Sequence, residues 1–149
     1  MAQRIIVVPV DLERHTSKLV DFAVSMANRL DCGISFFHGV EFEYGTMGDM
    51  VFGDYSYEEY NIHREEQAKK KVDDIVRNAS GRCKNTCSGE IAFGYVVDEI
   101  VEHARKVDAE LIIIGTHGRR ALEKILLGSV AENVIKRAHC PTLVMNPYR

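Results

Sequence analysis

The chain lacks a long apolar run. No stretch approaches the roughly 18 consecutive apolar residues that a membrane helix requires, so no membrane partner is expected. The apolar run that follows Arg4 ends at Val10, too short and too soon interrupted for a secretory signal. The expected location is therefore cytoplasmic. A surplus of one charge is also missing. The 22 acidic and 19 basic residues leave a formal charge of −3, which argues against a nucleic-acid-binding surface, since that would carry a basic excess. Internal repeats, low-complexity tracts and an interdomain linker are absent as well, so residues 1–149 read as one domain. Cysteine is sparse: Cys32, Cys83, Cys87 and Cys140. Without an export signal they should be reduced. Cys83 and Cys87 have three residues between them, neither the redox CxxC spacing nor a convincing half of a zinc site, and His103 and His139 are distant in sequence. No metal site is expected. Cys32 and Cys140 flank strands and read as packing residues.

What is present is ordinary globular material. Apolar residues make up 46% of the 149 and charged residues 28%, and a domain of this size buries roughly 68–70% of its unfolded surface. The periodicity alternates between strand and helix. Residues 4–10 form a continuously apolar, β-branched run typical of a strand buried on both faces. Residues 16–30 carry Leu19, Val20, Ala23, Met26, Ala27 and Leu30 at helical spacing. Strands are expected at 34–40, 90–95, 111–114 and 142–145, and helices at 57–78, 98–107 and 129–138. A strand followed each time by a helix implies a parallel sheet, covered on both faces and joined by right-handed crossovers. Ligands of open doubly wound α/β sheets bind past the C-terminal ends of the strands, where strand order reverses. That directs attention to Asp11 and Gly115.

One irregular segment, residues 41–56, is longer than most loops of compact domains. It holds Glu41, Glu43, Asp49 and Asp54, no Lys or Arg, and Phe42, Tyr44, Met47, Met50, Phe52 and Tyr55. Such a loop suits contact with a protein partner better than contact with phosphate. The plainer alternative is that its aromatics fold back onto the domain.

After the fourth strand the chain reads Gly115-Thr116-His117-Gly118-Arg119, continuing to Gly128-Ser129-Val130 at the start of the last helix. Gly118 permits a turn that brings backbone close to a ligand. Free N–H groups and the helix dipole at residues 128–130 make an anion site. The bland reading is a capping box, Ser129 with Glu132, beside an ordinary post-strand glycine. Neither a P-loop nor a Gly-x-Gly-x-x-Gly fingerprint occurs.

The whole spacing, Gly-x2-Gly-x9-Gly-Ser, resembles the nucleotide-binding signature of the universal stress protein family, ATP-binding subgroup. Asp11 after Val8-Pro9-Val10, the run Phe37-His38-Gly39-Val40, Gly94 ahead of Asp98-Glu99-Ile100, residues 108–115, 125–130 and 140–144 extend the likeness across essentially the whole chain. The resemblance implies an α/β single-domain open doubly wound sandwich with four helices and five parallel strands in order 3-2-1-4-5. It implies a homodimer too, and the last strand, Thr142–Met145, offers an apolar sheet edge for it, bounded by Pro141 and Pro147. The implied ligand is ATP, AMP or ADP, with any Mg2+ bound through the phosphates. Asp11 would bind the ribose, and backbone at Pro9, Val10, Gly39 and Val40 would border the adenine. Gly115, Thr116, His117, Gly118, Arg119, Gly128, Ser129 and Val130 would surround the phosphates. Gly39 departs from the family's usual Val, and Tyr95-Val96-Val97 departs from its usual Asp, Pro and Ala types.

Several residues have second readings. Asp11 could start a turn or cap the next helix, His38 reads as a satisfied core histidine, and Arg119 and Arg120 either steer phosphate or are simply solvated. Phosphoryl transfer wants a metal-binding carboxylate and a group that places the nucleophile. With Asp11 assigned to sugar, no catalytic set is apparent, so at most slow ATP hydrolysis, or autophosphorylation at Ser129 or Thr116, is expected. The leading function is a nucleotide-dependent stress-response switch. The alternative is a nucleotide-independent interaction module using residues 41–56. Residues 115–139 hold five basic and two acidic side chains, a net +3 against −6 elsewhere, a contrast suited to one small polyanion.

Overall fold

The computed structural model describes residues 2–13, 15–41, 57–116 and 127–147. Nine elements alternate along them: β1 (Ile5–Pro9), α1 (Thr16–Leu30), β2 (Gly33–Val40), α2 (Tyr57–Ser80), β3 (Cys87–Phe93), α3 (Val96–Lys106), β4 (Leu111–Gly115), α4 (Ser129–Arg137) and β5 (Thr142–Met145). The five strands form one parallel sheet in order β3-β2-β1-β4-β5. β1 lies at its centre because Ile6, Val7 and Val8 are fully buried, and a strand covered on both faces needs neighbours on both edges.

Side-chain alternation divides the core into two halves. Ile6, Val8, Ile34, Phe36 and Ile113 face α1 and α2, packing against Leu19, Val20, Ala23, Ala27 and Ala79. Val7, Phe37, Ile112 and Ile114 face α3 and α4, packing against Val97, Ile100, Val101, Ala104 and Val134. Full burial of side chains such as these contributes about 1.5–3 kcal/mol each. The chain winds outward from β1 to β3 over one face, then crosses back to β4 and winds to β5 over the other. The reversal of strand order thus falls at the C-terminal ends of β1 and β4.

The boundaries of β3 and α3 differ from expectation, for physical reasons. β3 begins at Cys87 rather than 90, because Ser88 and Gly89 give no apolar signal although Gly89 lies under α2. A Cβ on Gly89 would come within 2.5 Å of a Val72 methyl and 2.8 Å of a Val76 methyl. β3 ends at Phe93, just before Gly94, whose φ of +153° favours glycine. α3 starts at Val96, two residues early, which puts Asp98 and Glu99 in its first turn where the helix dipole favours carboxylates. Among the described residues no helix is long and apolar enough to cross a membrane.

Candidate functional site

β4 leads out of the sheet through Gly115 and Thr116, both half-buried. The Thr116 N–H donates to the carbonyl of Met145 at 2.9 Å, prolonging the β4–β5 ladder. Its own carbonyl accepts the N–H of Gly128 at 2.7 Å. The two ends of the glycine segment, twelve residues apart in sequence, are therefore joined at the base. Gly128 is also the N-cap of α4, and the first helical bond runs from the Glu132 N–H to the Gly128 carbonyl at 2.9 Å. By helix geometry the N–H groups of Ser129, Val130 and Ala131 have no acceptor within α4. The capping-box reading does not hold, because Gly128 rather than Ser129 is the cap and no side chain bonds to it. Of the residues assigned to phosphate, Gly115, Thr116, Gly128, Ser129 and Val130 are brought together here. His117, Gly118 and Arg119 lie outside the described residues.

Beside β4, β1 delivers Pro9 and Val10, both buried, and then Asp11. Asp11 Oδ1 accepts the Glu13 N–H at 3.0 Å and the Thr16 hydroxyl at 3.2 Å. The turn-and-cap reading of Asp11 is therefore realised through one oxygen, while Oδ2 takes no part in either bond. Leu12, next in the chain, has φ of +64°, a conformation uncommon for a branched residue and typical of segments held in place by their surroundings. The main chain assigned to adenine is partly committed. The Val10 N–H donates to the Phe37 carbonyl at 2.8 Å, and the Val40 carbonyl accepts the Gly94 N–H at 3.0 Å. His38 Nδ1 lies 2.6 Å from the Val10 carbonyl. Each carbonyl keeps a second lone pair. His38 is thus a satisfied histidine, as its sequence context suggests, and it braces the strand end.

The two departures from the family pattern meet in space. A Cβ on Gly39 would stand 3.3 Å from Val96 Cγ2 and 3.4 Å from Val96 Cα. The side chain missing at Gly39 is replaced by the larger one at Val96, so apolar cover over the end of β2 comes from α3 instead.

The charge contrast needs correction. Of the five basic residues in 115–139, Lys136 pairs with Glu132 at 3.2 Å and Arg137 with Asp98 at 2.6 Å. Both sit in the last turn of α4, far from its N-terminus, where they complement the helix dipole. Only Arg119, Arg120 and Lys124 remain to face an anion, and they lie outside the described residues, as does the acidic aromatic segment 42–56.

A serine–histidine–carboxylate chain occurs elsewhere. Ser35 Oγ is 2.8 Å from His103 Nε2, and His103 Nδ1 is 2.9 Å from Glu90 Oε2. Ser35 is only 4% exposed and lies in the N-terminal half of β2, beneath α3. No substrate reaches it, so the chain is a packing network. Phe37 stacks on the imidazole at 4.6 Å between ring centroids. Among the described residues no cluster of three or more His, Cys, Asp or Glu could hold a metal ion.

Comparison with known proteins then decides the family. The universal stress protein family model matches residues 3–146. The chain belongs to the universal stress protein family. Two universal stress proteins of Methanocaldococcus jannaschii are 59% identical over 56 residues and 39% identical over 83. Those matches cover 38% and 54% of this chain, but only 33% and 49% of the relatives' own lengths. Over 93% of this chain and 95% of its own length, the universal stress protein YxiE of Bacillus subtilis is 27% identical. UspA from Lactobacillus plantarum superposes with a TM-score of 0.80 at 20% identity, covering 97% of this chain and 99% of its own. The same fold is seen in a universal stress protein in complex with cAMP, with a TM-score of 0.68 at 20% identity and 99% of each chain covered.

Proposed function

We propose that this universal stress protein binds an adenine nucleotide, ATP, AMP or ADP, at the C-terminal ends of β1 and β4 and acts as a nucleotide-dependent stress-response switch. The observation that carries the reading is the closed base of the glycine segment, with Gly128 donating to the Thr116 carbonyl at 2.7 Å and the first N–H groups of α4, which have no acceptor within the helix, immediately beyond. Backbone donors at a helix N-terminus suit phosphate oxygens. On the adjacent strand, Asp11 keeps one carboxylate oxygen outside its turn bonds, an acceptor suited to ribose hydroxyls. The family resemblance supplies the roles of His117, Gly118 and Arg119 around the phosphates and of Pro9, Val10, Gly39 and Val40 around the base. A universal stress protein of the same fold is in complex with cAMP, which supports an adenine nucleotide as the ligand here.

Any Mg2+ would ride on the phosphates. Asp11 spends its carboxylate on the turn and sugar, and Ser35 of the Ser35–His103–Glu90 chain is buried beneath α3, so hydrolysis is slow at most. β5, at the sheet edge with Leu143, Val144 and Met145 half-buried, is the surface for a homodimer. The cytoplasm is the compartment consistent with these roles.

The test is direct. Purified protein is denatured and its supernatant assayed for adenine nucleotide, alongside Gly118→Val. Wild type should release nucleotide and the variant should be empty. A wild type that carries none and shows no calorimetric ATP binding would refute the reading.

A further inference from the structure

Cys83 and Cys87 flank the tight connection from α2 to β3. The sequence spacing suggests nothing, but the fold brings the two sulfurs together. Cys87 Sγ donates to Cys83 Sγ at 2.9 Å, and both are free thiols. This approach is held by the surrounding structure. The Cys83 N–H donates to the Ala79 carbonyl at 3.0 Å, extending α2, while Cys87 pairs with Ile34 in the sheet. Between them the Lys84 N–H donates to Asn28 Oδ1, and Asn85 Nδ2 to Asp31 Oδ1, each at 2.9 Å. Asn28 Nδ2 donates to the Arg82 carbonyl at 2.9 Å, and the Ile34 N–H to the Thr86 carbonyl at 2.9 Å. Both thiols are partly exposed, whereas Cys32 is 2% exposed and Cys140 packs on the opposite face of the sheet.

We propose that Cys83 and Cys87 form a reversible thiol–disulfide couple, a two-electron redox-modification site at the α2–β3 corner that responds to peroxide. The Cys83 sulfur attacks one oxygen of hydrogen peroxide. The O–O bond breaks, Cys83 becomes a sulfenic acid, and the departing hydroxide leaves as water after taking the Cys83 proton. The Cys87 sulfur then attacks the Cys83 sulfur. The S–S bond forms, the S–O bond breaks, and hydroxide leaves as a second water with the Cys87 proton. Two thiols are oxidised and one peroxide is reduced. A dithiol reverses the change through a mixed disulfide, returning two electrons and two protons. The order of attack follows from the environment: burial, together with the adjacent Cys83 thiol, pushes Cys87 up to about 12, so it stays protonated as the donor and Cys83 reacts first. Because the clasp already holds the corner, closure asks the sulfurs to move by only about 0.9 Å.

The full chain is exposed to hydrogen peroxide, alkylated and mapped without reduction, then treated with dithiothreitol. Expected are a mass loss of about 2 Da, an intramolecular link between the peptides bearing Cys83 and Cys87, retained alkylation of Cys32 and Cys140, and full recovery of all four thiols. Cys87→Ser should accumulate a dimedone-reactive sulfenic acid at Cys83, and Cys83→Ser should leave Cys87 unreactive. The wild-type map stands by itself if either variant folds poorly. A link through Cys32 or Cys140, disulfides only between chains, four unchanged thiols, or stoichiometric zinc shielding both sulfurs would each overturn the proposal.

Discussion

The two rims of the sheet are built differently. At the N-terminal ends of the strands, where helices return, connections are short and stitched by side chains: Arg82 to Asp21 at 2.7 Å, Arg4 to Glu110 at 3.3 Å, Asn85 to Asp31, and Asn28 to both Arg82 and Lys84. At the C-terminal ends the chain leaves through Asp11, residues 41–56 and the glycine segment, and the joins described there are mostly main chain to main chain, as between Gly128 and Thr116. Side-chain stitching fixes shape; backbone joins leave donors and turns available to a ligand. With the nucleotide site proposed at the C-terminal ends, stability and binding fall on opposite rims.

The sharpest way to break that division is to alter one glycine on each. Gly33 lies on the stitched rim, and a Cβ there would stand 2.8 Å from both the Thr86 carbonyl oxygen and Gln3 Oε1. Gln3 can swing away, but Thr86 is backbone in the clasped corner. Gly33→Ala should cost about 1–3 kcal/mol, read as a lowered denaturation midpoint, with nucleotide affinity per folded molecule unchanged. Gly118→Val should do the reverse. Equal effects of both variants on both readouts would end the distinction.

Between the rims sits His103, and its prediction is the intermediate one. Burial pushes its pKa down, against Glu90, which raises it, and with Lys106, which lowers it. An unfolded histidine titrates near about 6.5, so below that the unfolded chain takes up a proton that the folded chain resists. The stability tied to neutral His103 is fully present above about pH 6.5 and is lost as pH falls through the folded value. Denaturation midpoints measured from pH 8 to 5 (about the range in which histidine titrates) should decline on the acid side, less steeply in His103→Gln. The same decline in both proteins would remove His103 as its source.

The order of elements, the two apolar faces and the crevice were legible in the sequence, because β-branched runs such as 4–10 and the stripe from Leu19 to Leu30 each impose one periodicity. Less legible was anything that depends on contacts between distant segments. Gly39 and Val96 read as two separate departures, yet they are two sides of one contact. Ser35, Glu90 and His103 come from three elements and show no local spacing. The +3 of residues 115–139 read as one field, but Lys136 and Arg137 are consumed by partners at the far end of α4. Charge summed along a chain says nothing of which way each side chain points.

The smallest structural effect makes the most discriminating test. Ser129 with Glu132 has the form of a capping box, and loss of a serine cap costs typically about 1 kcal/mol. In the fold, Gly128 is the cap, Ser129 is the first helical residue, and the Asn133 amide binds the Ser129 carbonyl, not its hydroxyl. Ser129→Ala should therefore shift stability by less than about 0.5 kcal/mol. If the exposed hydroxyl serves a phosphate, the same variant should weaken ATP binding by about tenfold, the usual scale for one hydrogen bond to a charged group. A stable variant with reduced affinity separates binding from folding at a single atom. A destabilised variant of unchanged affinity would instead return Ser129 to the helix cap and remove it from the nucleotide site.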